Sequence, residues 1–216
     1  RAQFTGLPVD AILIAHRIGV TVAVDRSQAG RGRHKRMAGQ PAIFLSPDHR
    51  PERLQWAAAH ELGEMFACEA FQRAGVEADT SEPGLREQVA NLFASHLLLP
   101  SRSFFNEVRC VAGDLLELKA IFATASHELI AMRLLDLPEP SIVTIFDQGK
   151  VTRRRSSTTS HAPQLQQTER DCWSDIHHHN RPSERSADDF TVRGWPVHEP
   201  GWKREILRTV AHECEW

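Results

Sequence analysis

The chain has 216 residues, of which 41% are hydrophobic and 25% charged, with a formal net charge of -2. That length can bury the core of one domain, or of one domain with an appendage, and the near-neutral balance excludes a global field drawing the whole molecule onto nucleic acid or an anionic membrane. The four cysteines, Cys68, Cys110, Cys172 and Cys214, show no C-x-x-C spacing, which excludes a zinc ribbon and favours a reducing, cytoplasmic setting over a disulfide framework.

The chain opens on Arg1 rather than Met, as it would if a segment preceded it. The early apolar stretch "VDAILIAHRIGVTVAVD" is broken by His16 and Arg17, so it reads neither as a signal segment nor as a membrane span. Residues 8–19 are predicted to form a short amphipathic helix with Val9, Ile12, Leu13 and Ile14 as its apolar positions and Gly19 as its stop. "VTVAV" and "AIFL" read as strands. The basic segment between them, "DRSQAGRGRHKRMAGQ" (residues 25–40), lacks a G-x-x-x-x-G-K pattern and reads as a solvated loop rather than a phosphate site.

A long helix is predicted from Pro51, a residue suited to a first turn, to about residue 74. A second spans residues 83–99 and is closed by Pro100, and shorter helices follow at 102–111, 114–123 and 127–137. After Pro140 the character changes. "SIVTIF" and "KVTRRRS" read as strands joined at "DQG", residues 156–187 as polar loop, and "DDFTVRGWPV" and "WKREILRTV" as closing strands. The expected class is α+β, with a helical front and middle holding a small sheet, and a division into residues 1–137 and a β-rich C-terminal tail, 138–216.

The chemistry concentrates in "AAAHELGEMFACEAF", residues 57–71. An H-E dipeptide also occurs at 127–128, 198–199 and 212–213, so the dipeptide alone says little. On a helix, His60 and Glu64 are four apart and share a face, with Glu61 one step round. Ala58, Leu62, Met65 and Phe66 fall on the side a core would take. A polar triad on an otherwise apolar helix costs free energy if buried unpaired, and a cation would offset it. In "REQVANLFASHLLLP", Glu87 and Asn91 share a face, while Val89, Leu92, Phe93 and Leu97 make the packing surface. Glu87 is therefore a candidate third ligand. His96, nine positions further on, is about half a turn out of phase and is left out. Cys68 reads as a small buried residue rather than a thiolate ligand.

"WAAAHELGE", "REQVANLFASHLLLP" and "LLELKAIFATASHELIAMRLLDL" together resemble the ImmA/IrrE-type metallopeptidases. The family pattern is H-E-x-x-H on one helix and E-x-x-A-N-x-F-A-x-x-L-L-x-P on the next, and "EQVANLFASHLLLP" matches the second at every fixed position. The resemblance covers roughly residues 8–137. It implies a zincin-like metallopeptidase domain, with His60 as first metal ligand, Glu87 as third ligand and Glu61 as general base acting on a metal-bound water. Glu64 stands where the family places its second histidine. The implied metal is Zn²⁺, and the implied partner is a protein substrate, typically a transcriptional repressor, in a bacterial cell. A His60–Glu64–Glu87 set would leave Zn²⁺ formally neutral, where two histidines and one glutamate leave a positive charge. Carboxylate remains a sound zinc ligand, but it lowers the pKa of bound water less and extends the choice to Mn²⁺ or Fe²⁺. The expected function is a metal-dependent endopeptidase. The alternative is a catalytically inactive, metallopeptidase-like regulator that binds DNA or protein.

Residues 114–137 have the shape of a helix-turn-helix, with a turn near Thr124 and Ala125 and Ser126 as N-cap. A DNA reading would use His127, Glu128, Ala131 and Arg133. Only Arg133 is basic there and Glu128 opposes phosphate, so two packing helices are favoured over a DNA contact. "TRRR" at 152–155 reads as a solvated charge run, "HHH" at 177–179 as an exposed loop, and Trp173, Trp195 and Trp202 as buried anchors of the tail. No membrane partner is expected, and the oligomeric state is not legible.

Overall fold

A computed structural model of the chain describes residues 6–28, 30–75 and 83–212. It is an α+β protein of two compact units, Arg1–Arg109 with Lys119–Ser126, and Cys110–Leu118 with His127–Trp216. No described helix is long and apolar enough to cross a membrane.

The first unit opens with α1 (Ala11–Arg17). It starts later than predicted because Asp10 is its cap, accepting a hydrogen bond from the Leu13 N–H at 2.9 Å. Strands β1 (Thr21–Val24), β2 (Gly32–Met37) and β3 (Gln40–Leu45) form a sheet in the order β1-β3-β2. β1 runs parallel to β3, and β2 and β3 form an antiparallel hairpin. Its turn is Ala38–Gly39, both at positive φ. The basic segment read as a solvated loop therefore contains a strand. Its charges concealed it, because Arg33 and Lys35 cover Phe44 of β3, at 5.6 and 4.7 Å from the ring centroid, instead of facing solvent alone.

α2 (Pro51–Arg73) and α3 (Pro83–Leu98) are the helices that carry the motif residues. Gln55 of α2 ties it to α1, accepting from the Ala11 N–H at 2.6 Å and donating to Asp10 at 2.9 Å. The stripe that α3 buries is Ala90, Ala94 and Leu98, and Leu92, expected in the packing surface, is 60% exposed. The reason is the close approach at Gly63 of α2, where only small side chains fit between the helices. On α2, Ala58 and Leu62 are buried as expected, whereas Met65 is half-buried and Phe66 is exposed, its ring 6.2 Å from Phe93. Cys68 is exposed rather than buried. α4 (Ser101–Cys110) and α5 (Leu115–Ile121) follow.

The second unit contains α6 (His127–Arg133), a 3-10 turn at Leu134–Asp136, β4 (Ser141–Asp147), β5 (Lys150–Ser156), α7 (Gln167–His179), β6 (Ser183–Ser186), β7 (Phe190–Pro196) and β8 (Arg204–Ala211). Its antiparallel sheet runs β5-β4-β8-β7-β6. α7 packs on that sheet through Cys172 and Ile176 against Phe146, Val192 and Leu207.

The loop expected over 156–187 thus holds α7 and β6. The apolar stripe of α7 is too sparse to announce a helix. A capping box at Gln166 and Glu169 starts it, and the buried Glu169 carboxylate locks it by accepting from Arg154 at 2.9 and 3.0 Å and from Thr209 at 2.6 Å. Arg154 is accordingly part of the core network, not of a solvated charge run. The three histidines form the last turn of α7 and are not a loop. Trp195 is buried, but Trp202 is 43% exposed and donates Nε1–H to Asp147 at 3.2 Å. In α6, Ala131 and Arg133 are buried and Glu128 pairs with Arg153 and Arg204 at 2.7 and 3.1 Å. The face named for a DNA contact is thus largely taken up within this unit.

Candidate metal centre

His60 and Glu64 lie on successive turns of α2, and α3 brings Glu87 opposite them. Ligand atoms of the three fall within 4.8 Å of one another, a group of donors that could hold a metal ion. His60 Nε2 stands 3.5 Å from Glu87 Oε2. Donors around a tetrahedral cation with bonds of about 2.0–2.2 Å are separated by roughly 3.3–3.6 Å, so this pair is already spaced for one. The exposure is graded: the side chains of His60 and Glu64 are 17% and 18% exposed, and Glu87 is 59% exposed. One side of the trio is closed and the other is open to solvent.

Asn91 links the two helices at the site. Its Oδ1 lies 3.1 Å from His60 Nδ1, and its Nδ2–H donates to Glu87 Oε1 at 3.1 Å. With Nδ1–H donating to Asn91, the lone pair of His60 is on Nε2, the nitrogen directed at Glu87. The sequence placed Asn91 on the Glu87 face, but gave it no role. Nothing in the local sequence pattern marks Arg86. Its Nη2 donates to Glu64 Oε2 at 3.2 Å, so a fixed positive charge already leans on one candidate ligand. The donor set of one imidazole and two carboxylates fits a divalent cation, with Arg86 as a competitor for Glu64.

Glu61 is 7% exposed and faces β2. Its Oε2 is 2.9 Å from His34 Nδ1, and its carboxylate lies against Gly32, where an added Cβ would stand 2.8 Å from Oε1. Gly32 is therefore the residue that lets the strand approach Glu61. His34 carries no local signal of its own, because the charges of β2 conceal the strand that presents it. The usable signal was the alternation of Gly32 and His34 with Arg33 and Lys35. His96 is exposed, with Nδ1 3.2 Å from Ser101 Oγ, directed elsewhere as its helical phase required.

A family model described as the IrrE N-terminal-like domain, of a peptidase family, matches residues 15–134. No curated protein matches the chain. Among solved structures, one described as a Mycobacterium tuberculosis transcriptional regulator is similar over 93% of this chain and 69% of its own, with a TM-score of 0.65 and 18% identity. At that identity the likeness is one of fold.

Proposed function

The chain belongs to the IrrE N-terminal-like peptidase family, whose model spans more than half of it, and on that footing we propose that it is a metal-dependent endopeptidase acting on a specific protein. The observation that carries this reading is the convergence of His60, Glu64 and Glu87 from two closely packed helices. These residues would hold Zn²⁺, or Mn²⁺ or Fe²⁺ given two carboxylate donors. When bound, the cation would supply Lewis acidity toward water and the scissile carbonyl. Asn91 orients His60 and Glu87. Glu61 takes the proton of the attacking water and delivers it to the leaving amine, while His34 holds the carboxylate in place through Oε2.

The activity is assigned to residues 1–137, which contain every residue of this site, and residues 138–216 to a β-rich extension. A transcriptional repressor is the substrate class that the family likeness favours. The free Cys68, Cys110 and Cys172 fit a reducing, cytoplasmic setting. The test is cleavage of a fluorescence-quenched peptide library by the Zn²⁺-loaded chain beside Glu61→Gln at equal metal content. Cleavage by the wild type alone supports the reading, and equal rates overturn it.

A second reading, a non-catalytic regulator, is favoured by the Arg86–Glu64 ion pair, which satisfies Glu64 without a cation. A wild-type chain that takes up no metal under replete conditions would establish that reading instead.

A further inference from the structure

We propose that Arg86 is the anion-binding residue of the metal centre, and that the anion it holds during catalysis is the oxyanion of the attacked carbonyl. This deepens the peptidase reading and rests on it for the identity of the anion, but not for its binding. Arg86 immediately precedes Glu87 on α3, and its Nη2 reaches across to Glu64 Oε2 on α2 at 3.2 Å. It is therefore adjacent to one candidate ligand and in contact with a second. At 39% exposure it stays open to solvent, where His60 and Glu64 are largely covered.

Its resting place satisfies it poorly. Arg86 Nε is buried without a hydrogen-bond partner, and an unmet buried donor is a cost that any position satisfying it relieves. Among the described residues, Glu64 is the one acceptor of the guanidinium's N–H groups. A side chain held by one hydrogen bond, with a donor orphaned, turns readily to a second anion once a cation has taken Glu64.

Charge gives an independent reason. One neutral imidazole and two carboxylates cancel a divalent cation, and a neutral centre is a weak electrophile. With Arg86 counted, the set carries one net positive charge, the balance that two histidines and one glutamate would give. The Arg86–Glu64 pair thus replaces, in charge, the neutral imidazole that Glu64 displaces. Other donors are scarce. The chain has no tyrosine, His34 is engaged by Glu61, Asn91 by His60 and Glu87, and His96 is directed at Ser101.

In the step itself, the water oxygen bonds to the carbonyl carbon and its proton passes to Glu61. The carbonyl π pair moves onto the carbonyl oxygen, which accepts charge-assisted hydrogen bonds from Arg86. On collapse that pair reforms the C=O bond, the C–N bond breaks, and the proton on Glu61 goes to the leaving nitrogen. Arg86 keeps its own protons throughout. The same positive charge opposes a cation on Glu64 and attracts the oxyanion, so its loss should move the two affinities in opposite directions.

The test compares the Zn²⁺-loaded wild type with Arg86→Gln and Arg86→Lys. The probe is dimethylphosphinate, a tetrahedral monoanion, titrated by phosphorus NMR, and competition with a chromogenic chelator gives Zn²⁺ affinity. The wild type is expected to bind phosphinate about tenfold tighter than Arg86→Gln. Arg86→Lys, which keeps the charge but not the planar fork, should fall between them. Zn²⁺ should bind tighter in Arg86→Gln than in the wild type. On any peptide that is cleaved, Arg86→Gln should lower kcat more than it changes KM. Circular dichroism checks folding. Equal phosphinate affinity in the wild type and Arg86→Gln would overturn the proposal. So would weaker binding of both phosphinate and Zn²⁺ in the variant, which would make Arg86 a support for Glu64. Arg86-dependent phosphinate binding without cleavage of any peptide would overturn the peptidase reading alone, and a wild type that takes up no Zn²⁺ would overturn both.

Discussion

Gly63 on α2 and Ala90 on α3 approach so closely that a Cβ added at Gly63 would stand 2.8 Å from Ala90 Cα and 2.9 Å from its carbonyl oxygen. Glu64 is the next residue on α2, and Glu87 lies one turn before Ala90. The spacing of the two candidate ligands is thus set by a contact between backbones, which cannot yield as a flexible side chain can. Gly63→Ala is expected to force the helices apart at a cost of about 1–3 kcal/mol. Thermal unfolding should show the drop, and Zn²⁺ titration should show weaker binding. An unchanged melting temperature would mean that the helix pair relaxes freely.

Metal content distinguishes a ligand from a bystander at Glu64. About one metal per chain is expected in the wild type and in Glu64→His, with loss in Glu64→Ala and Glu87→Ala. Mass spectrometry on untagged protein reads this directly. Retention in Glu64→Ala would remove Glu64 from the ligand set.

Arg86 and a cation compete for the same carboxylate. Arg86→Ala should raise metal affinity several-fold, because a positive charge 3.2 Å from Glu64 no longer opposes a second one. Competition against a chromogenic chelator measures it. Weaker binding in the variant would instead make Arg86 a support that holds Glu64 in place.

Glu61 and His34 divide chemistry from positioning. Glu61→Gln should lower kcat by about 10²–10⁴-fold while metal content stays constant. His34→Ala removes one charge-assisted hydrogen bond, worth about 1.5–3 kcal/mol, and should lower kcat more than it changes KM. His34→Gln, which can still donate, should recover part of the loss. Steady-state kinetics on a cleaved peptide would show whether Gln and Ala differ, and no difference would deny His34 that role.

Acid should destabilise the second unit through Asp114 and Asp147. Burial works to raise the Asp114 carboxyl, but the Glu117 N–H, Trp195 and Arg193 outweigh it and hold its pKa below the ordinary value. For Asp147 burial is likewise outweighed, by Arg204, Thr152 and Trp202. A carboxyl with a depressed folded pKa contributes stability that is complete above its unfolded value, about 4, and is lost as pH falls through the folded value beneath it. The unfolding midpoint should therefore be insensitive to these groups from about pH 7 to 5 and fall below about pH 4. In Asp147→Asn the acid slope should be shallower, and an identical slope would exclude that residue as a source.

By itself, the chain determined the helices and what their faces carry. The 3.6-residue period is local, so His60 and Glu64 share a face of α2, and Glu87 and Asn91 share a face of α3, whatever packs against them. The same local phase excluded His96. Tertiary structure decided which faces meet. Leu92 looked like packing surface, but the Gly63–Ala90 contact turned the small-residue stripe of α3 inward and left Leu92 outside. β2 is hidden by its charges because its pattern is completed by Phe44 and Glu61 on other elements. α7 depends on Arg154 and Thr209, which lie 15 and 40 residues from Glu169. Arg86 and His34, the two residues that most alter the reading of the site, act on partners 22 and 27 residues away. Periodicity is a property of one segment, whereas burial and pairing are properties of two, and only the folded chain brings the second one into contact.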